Sequence, residues 1–377
     1  MTDRLFVDIH VIQTLPPSCV NRDDLGSPKT AFYGGVTRAR VSSQAWKRAM
    51  RQMFREMGED VGQRTKHILD MVTAEIKALA PDAEEPEELA KKVIQSIGLA
   101  FDAKKKNETK VLVFVSSAQA RALAAVALAH KDEVEENKKK AAKEQSKAEK
   151  ALAEVLKKEG LKALESQPSS DIALFGRMVA EATSLNFDAA AQVAHAISTH
   201  EVHNEFDYFT AVDDLKPEDT VGAGHLGTIE FNSSTMYRYA TVNAMELARH
   251  LGKDVPHVIC AFTEAFIRSM PTGKQNSFAN QVRPDAVYVT IRKDQPVNMA
   301  GAFEKPVRAG KDGYVEGSIR GLISYAKDTY NDYYAAPELA LVVGTGMDAL
   351  GDKMPLSAML DKLEKHLTEA LAGKESE

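Results

Sequence analysis

Two hydrophobic periods alternate along the chain. Residues 5–12 (LFVDIHVI) alternate weakly and are rich in β-branched side chains, which predicts a buried strand. Residues 13–37 hold Pro16, Pro17, Gly26, Pro28, Gly34 and Gly35 and predict a long irregular connection, a type of segment that is usually functional or mobile. Ser42 or Ser43 can then cap a helix running to about Met57. Its apolar positions Trp46, Met50, Met53 and Met57 fall at helical spacing. Gln44, Lys47, Arg48, Arg51 and Arg55 lie off that stripe and give the helix a basic face.

Further helices are expected over residues 65–80, 86–101 and 117–130, and one or two more in the Ala/Glu/Lys-rich stretch 131–164. Residues 111–116 and 171–175 predict strands. Residues 198–234 are polar, acidic and aromatic and predict an extended hairpin or protruding loop. Beyond them, strands at 237–242, 286–292 and 339–343 are separated by helices at 244–251, 256–269, 317–330 and 356–372. The pattern shows no repeat and gives an α/β or α+β chain with two insertions, the hairpin and the Ala/Lys helices.

Composition adds limits. With 377 residues, 44% hydrophobic, the chain can bury one large core or two modest ones. No apolar run reaches the ~18 residues that span a bilayer, and the first residues lack a signal-peptide core, so no membrane partner is expected. Cys19 and Cys260 alone make no disulfide framework, which points to the cytoplasm. The net charge of −6 argues against nucleic acid, but its distribution does not. Eight basic residues (Arg22, Lys29, Arg38, Arg40, Lys47, Arg48, Arg51 and Arg55) face Asp23 and Asp24, giving +6 and leaving −12 for the rest. A basic patch on an acidic body binds phosphate locally. A solvated basic helix gives the same count.

Enzyme signatures are weak. Gly222-Ala-Gly224-His-Leu-Gly227 spells a dinucleotide fingerprint, but no strand precedes it and residues 228–231 look like a strand where a helix is required. His195, His200 and His203 lie near Asp207, Asp213 and Asp214 without any metal-ligand motif, and His195 is expected in a helix core. Cys19 has no base beside it in sequence and is read as a packing residue. No metal or cofactor is expected. The surviving chemistry is the mix of guanidinium, ammonium, hydroxyl and amide groups at Arg22, Lys29, Arg38, Arg40, Ser42, Gln44, Lys47 and Arg51, which suits phosphate and ribose.

From Ser18-Cys-Val-Asn-Arg-Asp-Asp24 the sequence resembles the CasC family, the backbone subunits of type I-E CRISPR surveillance complexes (Cascade). The likeness continues through Phe32-Tyr-Gly-Gly35, Arg40-Val-Ser-Ser-Gln-Ala-Trp-Lys-Arg-Ala-Met-Arg51, Asp171-Ile-Ala-Leu-Phe-Gly-Arg-Met178 and Ala194-His-Ala-Ile-Ser-Thr-His200. It is closest at Phe209-Thr-Ala-Val-Asp-Asp-Leu215, His225-Leu-Gly-Thr-Ile-Glu-Phe231 and Tyr237-Arg-Tyr-Ala240, and extends to Gly273-Lys-Gln275 and Ala302-Phe-Glu-Lys305. Residues 131–165 depart from the family pattern, being longer and richer in lysine.

The resemblance implies an α+β hand: a modified RRM (ferredoxin-like) palm, a helical fingers insertion and an extended thumb hairpin. The palm would take residues 1–58, 110–130, 165–197 and 235–377. The fingers would take 59–164, interrupted by a palm strand at 110–116, and the thumb 198–234. Guide crRNA, target DNA paired to it, further copies of the chain and other Cascade subunits are the implied partners, in antiviral defence. The implied role is non-catalytic, with bases left free for pairing. Carried over, Arg22, Lys29, Ser42, Gln44, Lys47, Arg48 and Arg51 grip RNA phosphates and sugars, and Lys274 and Lys305 add palm contacts. Arg177 and Met178 lie at a base, and Phe209, Thr210 and Leu226 at the thumb, where apolar groups wedge between bases. The lysine face Lys138, Lys139, Lys143 and Lys147 is the candidate for DNA phosphates. The alternative is a metal-dependent endoribonuclease using thumb Asp213 or Asp214.

Overall fold

The computed structural model describes residues 4–138, 142–180, 182–211 and 225–372. In chain order the elements are β1 (Phe6–Ser18), β2 (Thr30–Tyr33), β3 (Val36–Val41), α1 (Ser43–Met57), β4 (Gln63–Thr65), α2 (Ile68–Leu79), α3 (Pro86–Ser96) and β5 (Val113–Val115). Next come α4 (Ser117–Ala129), α5 (Lys131–Lys138), α6 (Ala142–Glu165), α7 (Ser170–Phe175), β6 (Ala191–Val193), β7 (Ala196–Ser198), β8 (Glu205–Ala211) and β9 (His225–Asn243). The chain closes with α8 (Ala244–Leu251), α9 (Val255–Arg268), α10 (Gln275–Phe278), β10 (Ala286–Arg292), α11 (Val315–Asp332), β11 (Leu339–Gly344), β12 (Asp352–Lys353) and α12 (Leu356–Ala372).

The chain divides into two compact units. The first comprises Met1–Met53, Gln192–Met245 and Pro256–Glu377 and is built on one large, mostly antiparallel sheet ordered β12-β11-β10-β1-β9-β7-β3-β2, with β6 and β8 also on β9. β1 is central and pairs β9 on one side and β10 on the other, with Ile12 opposite both Tyr237 and Ala286. Its weak alternation in sequence follows from burial on both faces, polar positions included. Asp8 accepts from the Tyr239 hydroxyl at 2.9 Å and from the Val297 amide at 2.9 Å, and His10 Nδ1 lies 2.9 Å from the Tyr237 hydroxyl. Burial lifts the Asp8 carboxyl to about 6 and depresses the His10 imidazole to about 3, so His10 is neutral. α1 buries Trp46, Met50 and Phe54, at a spacing of four, rather than the expected Met53 and Met57, which are half-covered. The guanidinium of Arg238, itself buried, lies 3.7 Å from the Trp46 ring.

The second unit comprises Phe54–Ala191 and Glu246–Val255. α2, α3, α4 and α6 pack around Ile68, Val72, Val93, Ile94, Leu123 and Leu156. α4 starts with a capping box: Ser116 Oγ accepts from the Gln119 amide and Gln119 Oε1 from the Ser116 amide.

Three expectations are corrected. The strand at 111–116 pairs with β4 in a separate two-stranded sheet, not with the palm sheet, because its partner is the local segment Gln63–Thr65. Residues 171–175 form a helix: a short apolar run carries no period, and the buried Asp171 carboxylate, taking the Gly62 amide at 2.8 Å and the Ser169 hydroxyl at 2.7 Å, fixes the first turn. Residues 13–37 hold the end of β1, all of β2 and the start of β3, the turn Gly34-Gly35 lying at positive φ. No described helix is long and apolar enough to cross a membrane.

Candidate nucleic-acid interface

The loop after β1 is folded onto the start of α1. Asn21 Oδ1 accepts the Ser42 amide at 2.9 Å, the Asn21 carbonyl accepts the Lys29 amide at 2.9 Å, and the Lys29 carbonyl accepts the Arg40 amide at 2.9 Å. Asp23 is spent inside the loop, its carboxylate accepting the amides of Leu25 at 3.0 Å and Ser27 at 2.9 Å. Four cations therefore share one neighbourhood. Arg22 bridges to Pro28, and Arg22 and Lys274 both face the buried Cys19 thiol, whose pKa burial raises and they oppose. Lys29 and Arg40 both face His195, which burial and their charge keep below its usual pKa. A Cβ on Gly273 would stand 2.2 Å from the Val20 carbonyl oxygen, so only glycine lets the Lys274 backbone lie on this loop.

α1 continues the basic surface. Gln44 and Arg48 are exposed, and Lys47 and Arg51 are half-buried one turn apart. Ser42 is buried, and its hydroxyl caps α1 by accepting the Ala45 amide at 3.4 Å; its backbone, not a free hydroxyl, shapes the site. Lys305 is exposed beside Glu304, whose carbonyl abuts Gly34, and so lies at the end of β2 away from Lys29. Arg38, counted with the basic region, is buried, donating to the carbonyls of Tyr33, Ser198 and Phe303.

Arg177 is likewise a correction. It is 5% exposed, with its guanidinium on the carbonyls of Leu185 at 2.7 Å, Phe114 at 3.1 Å and Leu164 at 3.3 Å, and burial lowers its pKa to about 10. Its neighbour Met178 is 85% exposed, a large apolar side chain held in solvent.

On the hairpin, all of β8 is exposed. Phe209 pairs Gly227, and a Cβ there would stand 2.3 Å from the Phe209 ring, so the ring lies on bare backbone. Thr210 is exposed and pairs with Leu226. Sequence reading passed over Phe206 and Tyr208, 67% and 65% exposed on the opposite face from Phe209; the alternation in Phe-Asp-Tyr-Phe was the available signal. The hairpin base is tied to the 21–29 loop by Ser27 donating to Glu230 at 2.9 Å. The side chain of Leu226, the residues Asp213, Asp214, Gly222 and Gly224, Lys139, and the side chains of Lys138 and Lys143 lie outside the described residues; Lys147 is exposed on α6.

The other chemical candidates separate. Gly227 lies inside β9, where the dinucleotide motif would need a helix to begin, which removes that geometry. His195 is exposed between β6 and β7, not in a helix core, with its Nδ1 3.1 Å from Arg40. His200 is buried, stacked on Tyr314, and its Nε2 accepts the Thr235 amide at 3.0 Å. Among the described residues no group of His, Cys, Asp and Glu is arranged to hold a metal.

Residues 7–367 match the model of a family described as CT1975-like protein. Among solved structures, the chain is similar to one from a structure described as "CRISPR RNA-guided surveillance complex, pre-nicking". The TM-score is 0.79 at 34% identity, covering 96% of this chain and 100% of that one. A chain from a second, described as "CRISPR RNA-guided surveillance complex", gives a TM-score of 0.66 at 29% identity, covering 95% and 99%. No curated protein matches the sequence.

Proposed function

The chain belongs to the CT1975-like family of Cas proteins, and from that premise we propose that it is a non-catalytic, sequence-independent binder of CRISPR guide RNA, the repeated backbone subunit of a type I-E Cascade complex. One observation carries the reading: the hydrogen-bonded chain Asn21–Lys29–Arg40, closed onto Ser42 at the start of α1, collects Arg22, Lys29, Arg40 and Lys274 and leads into the basic face Gln44, Lys47, Arg48 and Arg51. Fixed forks and ammonium groups beside a helix start grip ribose-phosphate and read no base edge. Bases so left outward pair with target DNA, and specificity belongs to the guide.

In this reading the large sheet of the first unit is an RRM-like palm, the helical unit the fingers and β8–β9 the thumb, whose Phe209 wedges between bases. Copies stack head to tail on the RNA and join other Cascade subunits. Lys47→Ala with Arg51→Ala is expected to weaken binding of guide-length RNA of any sequence. The slope of log K against log salt should fall by about 0.7 for each phosphate no longer neutralised. An unchanged slope rejects the groove.

A further inference from the structure

In the second unit, one imidazole holds the corner between α4 and α5. α4 stops at His130, whose carbonyl accepts the Val134 amide at 3.1 Å, so α5 starts on the same residue. α5 has little apolar grip: among its described side chains only Val134 and Asn137 are buried, and Asp132, Glu133 and Glu136 are exposed. It packs on α6, whose place is set by Gly160. A Cβ on Gly160 would stand 2.6 Å from the Ile97 side chain at the end of α3, so α6 lies flush there, which accounts for a glycine inside a helix. Its neighbour Glu159 reaches across to His130.

Each nitrogen of the largely covered His130 ring meets a carboxylate. Nδ1 lies 3.0 Å from Glu133 of α5, and Nε2 lies 3.0 Å from Glu159 of α6. A neutral imidazole has one N–H and one lone pair, so one of these contacts would set a lone pair against a carboxylate. Only the imidazolium donates to both. Because α4 ends and α5 begins at this residue, the opposed helix-end fields offset one another. α4 has no charged residue in its last two turns, so the charges acting on the ring come from α5 and α6, as Glu133 and Glu159. The hydrogen bond to Glu159, and after it the one to Glu133, hold the imidazole above its usual 6.5 against the opposing effect of burial. A base raised on folding stabilises fully below 6.5, and that contribution is lost as pH rises through the raised value.

We propose that His130 is a proton-operated clasp: charged, it ties α5 to α6 through Glu133 and Glu159, and neutral, it keeps one tie and lets α5 leave. The clasp sits at the head of residues 131–165, the stretch that departs from the family pattern, and it stands whether or not the RNA reading does. The test uses the full chain, labelled with ¹⁵N in histidine and titrated by NMR, the His130 signal being the one lost in His130→Gln. Wild-type His130 is expected to titrate above 6.5, with both nitrogens protonated on the acid side, and Glu159→Gln to bring that value down. Hydrogen–deuterium exchange of α5, divided by the intrinsic rate at each pH, is read in parallel near pH 6 and near pH 9. Each unit by which folding raises the pKa corresponds to about a tenfold loss of α5 protection across that range. Glu159→Gln should show a smaller loss, in step with its lower pKa, and His130→Gln none, while α2 and α3 exchange as in the wild type. A His130 pKa at or below 6.5, or an equal pH-dependent loss in the wild type and His130→Gln, overturns the proposal. If His130→Gln does not fold, Glu159→Gln decides: a loss of α5 protection as large as the wild type's overturns the clasp as well.

Discussion

Asp8 keeps a carboxyl group in the middle of a sheet, with a hydroxyl and an amide donating to it and burial raising its pKa from 3.8 to about 6. An acid raised on folding holds a proton that the unfolded chain has released. Its contribution is therefore present below about pH 3.8 and lost as pH rises through about 6. Asp8→Asn, which cannot ionise, is expected to gain on the wild type between those values by up to roughly 3 kcal/mol, two pKa units at about 1.4 each. Paired thermal melts at pH 4, 5 and 6.5 check this. A stability difference constant across the series rejects it, whatever its offset. His10, depressed to about 3, acts with the opposite sign in both proteins and cancels in the difference. The buried pair was visible in the sequence as a strand, but nothing in LFVDIHVI says that Asp8 and His10 face inward; the tyrosines brought by β9 and the Val297 amide make that tolerable. Arg38 and Arg177 show the same blindness at residue scale. A count of charges treats every guanidinium as a surface group, whereas these two satisfy backbone carbonyls inside the fold.

Among elements, helices with a clear stripe were legible and short apolar runs were not. The helices at residues 356–372 and 43–57 and the strand at 286–292 were placed where the structure has them, since each carries a full period and a boundary signal. The six residues of α7 carry neither, and a polar anchor from Gly62 decided their conformation. α4, α6 and β5 meet at Arg177, which bonds Phe114 of β5 and Leu164 of α6 and lies 3.4 Å from Gln119 of α4. Arg177→Ala removes a donor from three buried carbonyls, of which Leu164 keeps the Gln119 side-chain amide, and is expected to destabilise the second unit by about 3 kcal/mol. Denaturant melts read the loss, while the salt slope of RNA binding stays at the wild-type value. A stable variant with weakened RNA binding would return Arg177 to the RNA-binding residues that the family resemblance implies.

At the scale of the whole molecule, the charge arithmetic gives the proposed RNA binding and the proposed assembly a common cause. The basic stretch of +6 sits on a chain whose remainder is −12, so copies repel one another through their bodies while each attracts phosphate at one place. In the proposed assembly, RNA supplies the countercharge that lets bodies approach. If copies meet head to tail, the surfaces in contact differ, the contact does not close on itself, and growth ends where the strand ends. The number of copies must then rise in proportion to RNA length, with constant nucleotides per copy. Native mass measurement on transcripts of three lengths checks it at low and moderate salt. The expected outcome is a linear rise with RNA, and no polymer without RNA at either salt. A complex of fixed size on every length would mean a closed, isologous assembly, and would overturn the backbone role while leaving the groove itself intact. The two results separate because the groove is held by hydrogen bonds within one unit, whereas stacking needs only the RNA's countercharge and an asymmetric contact between copies.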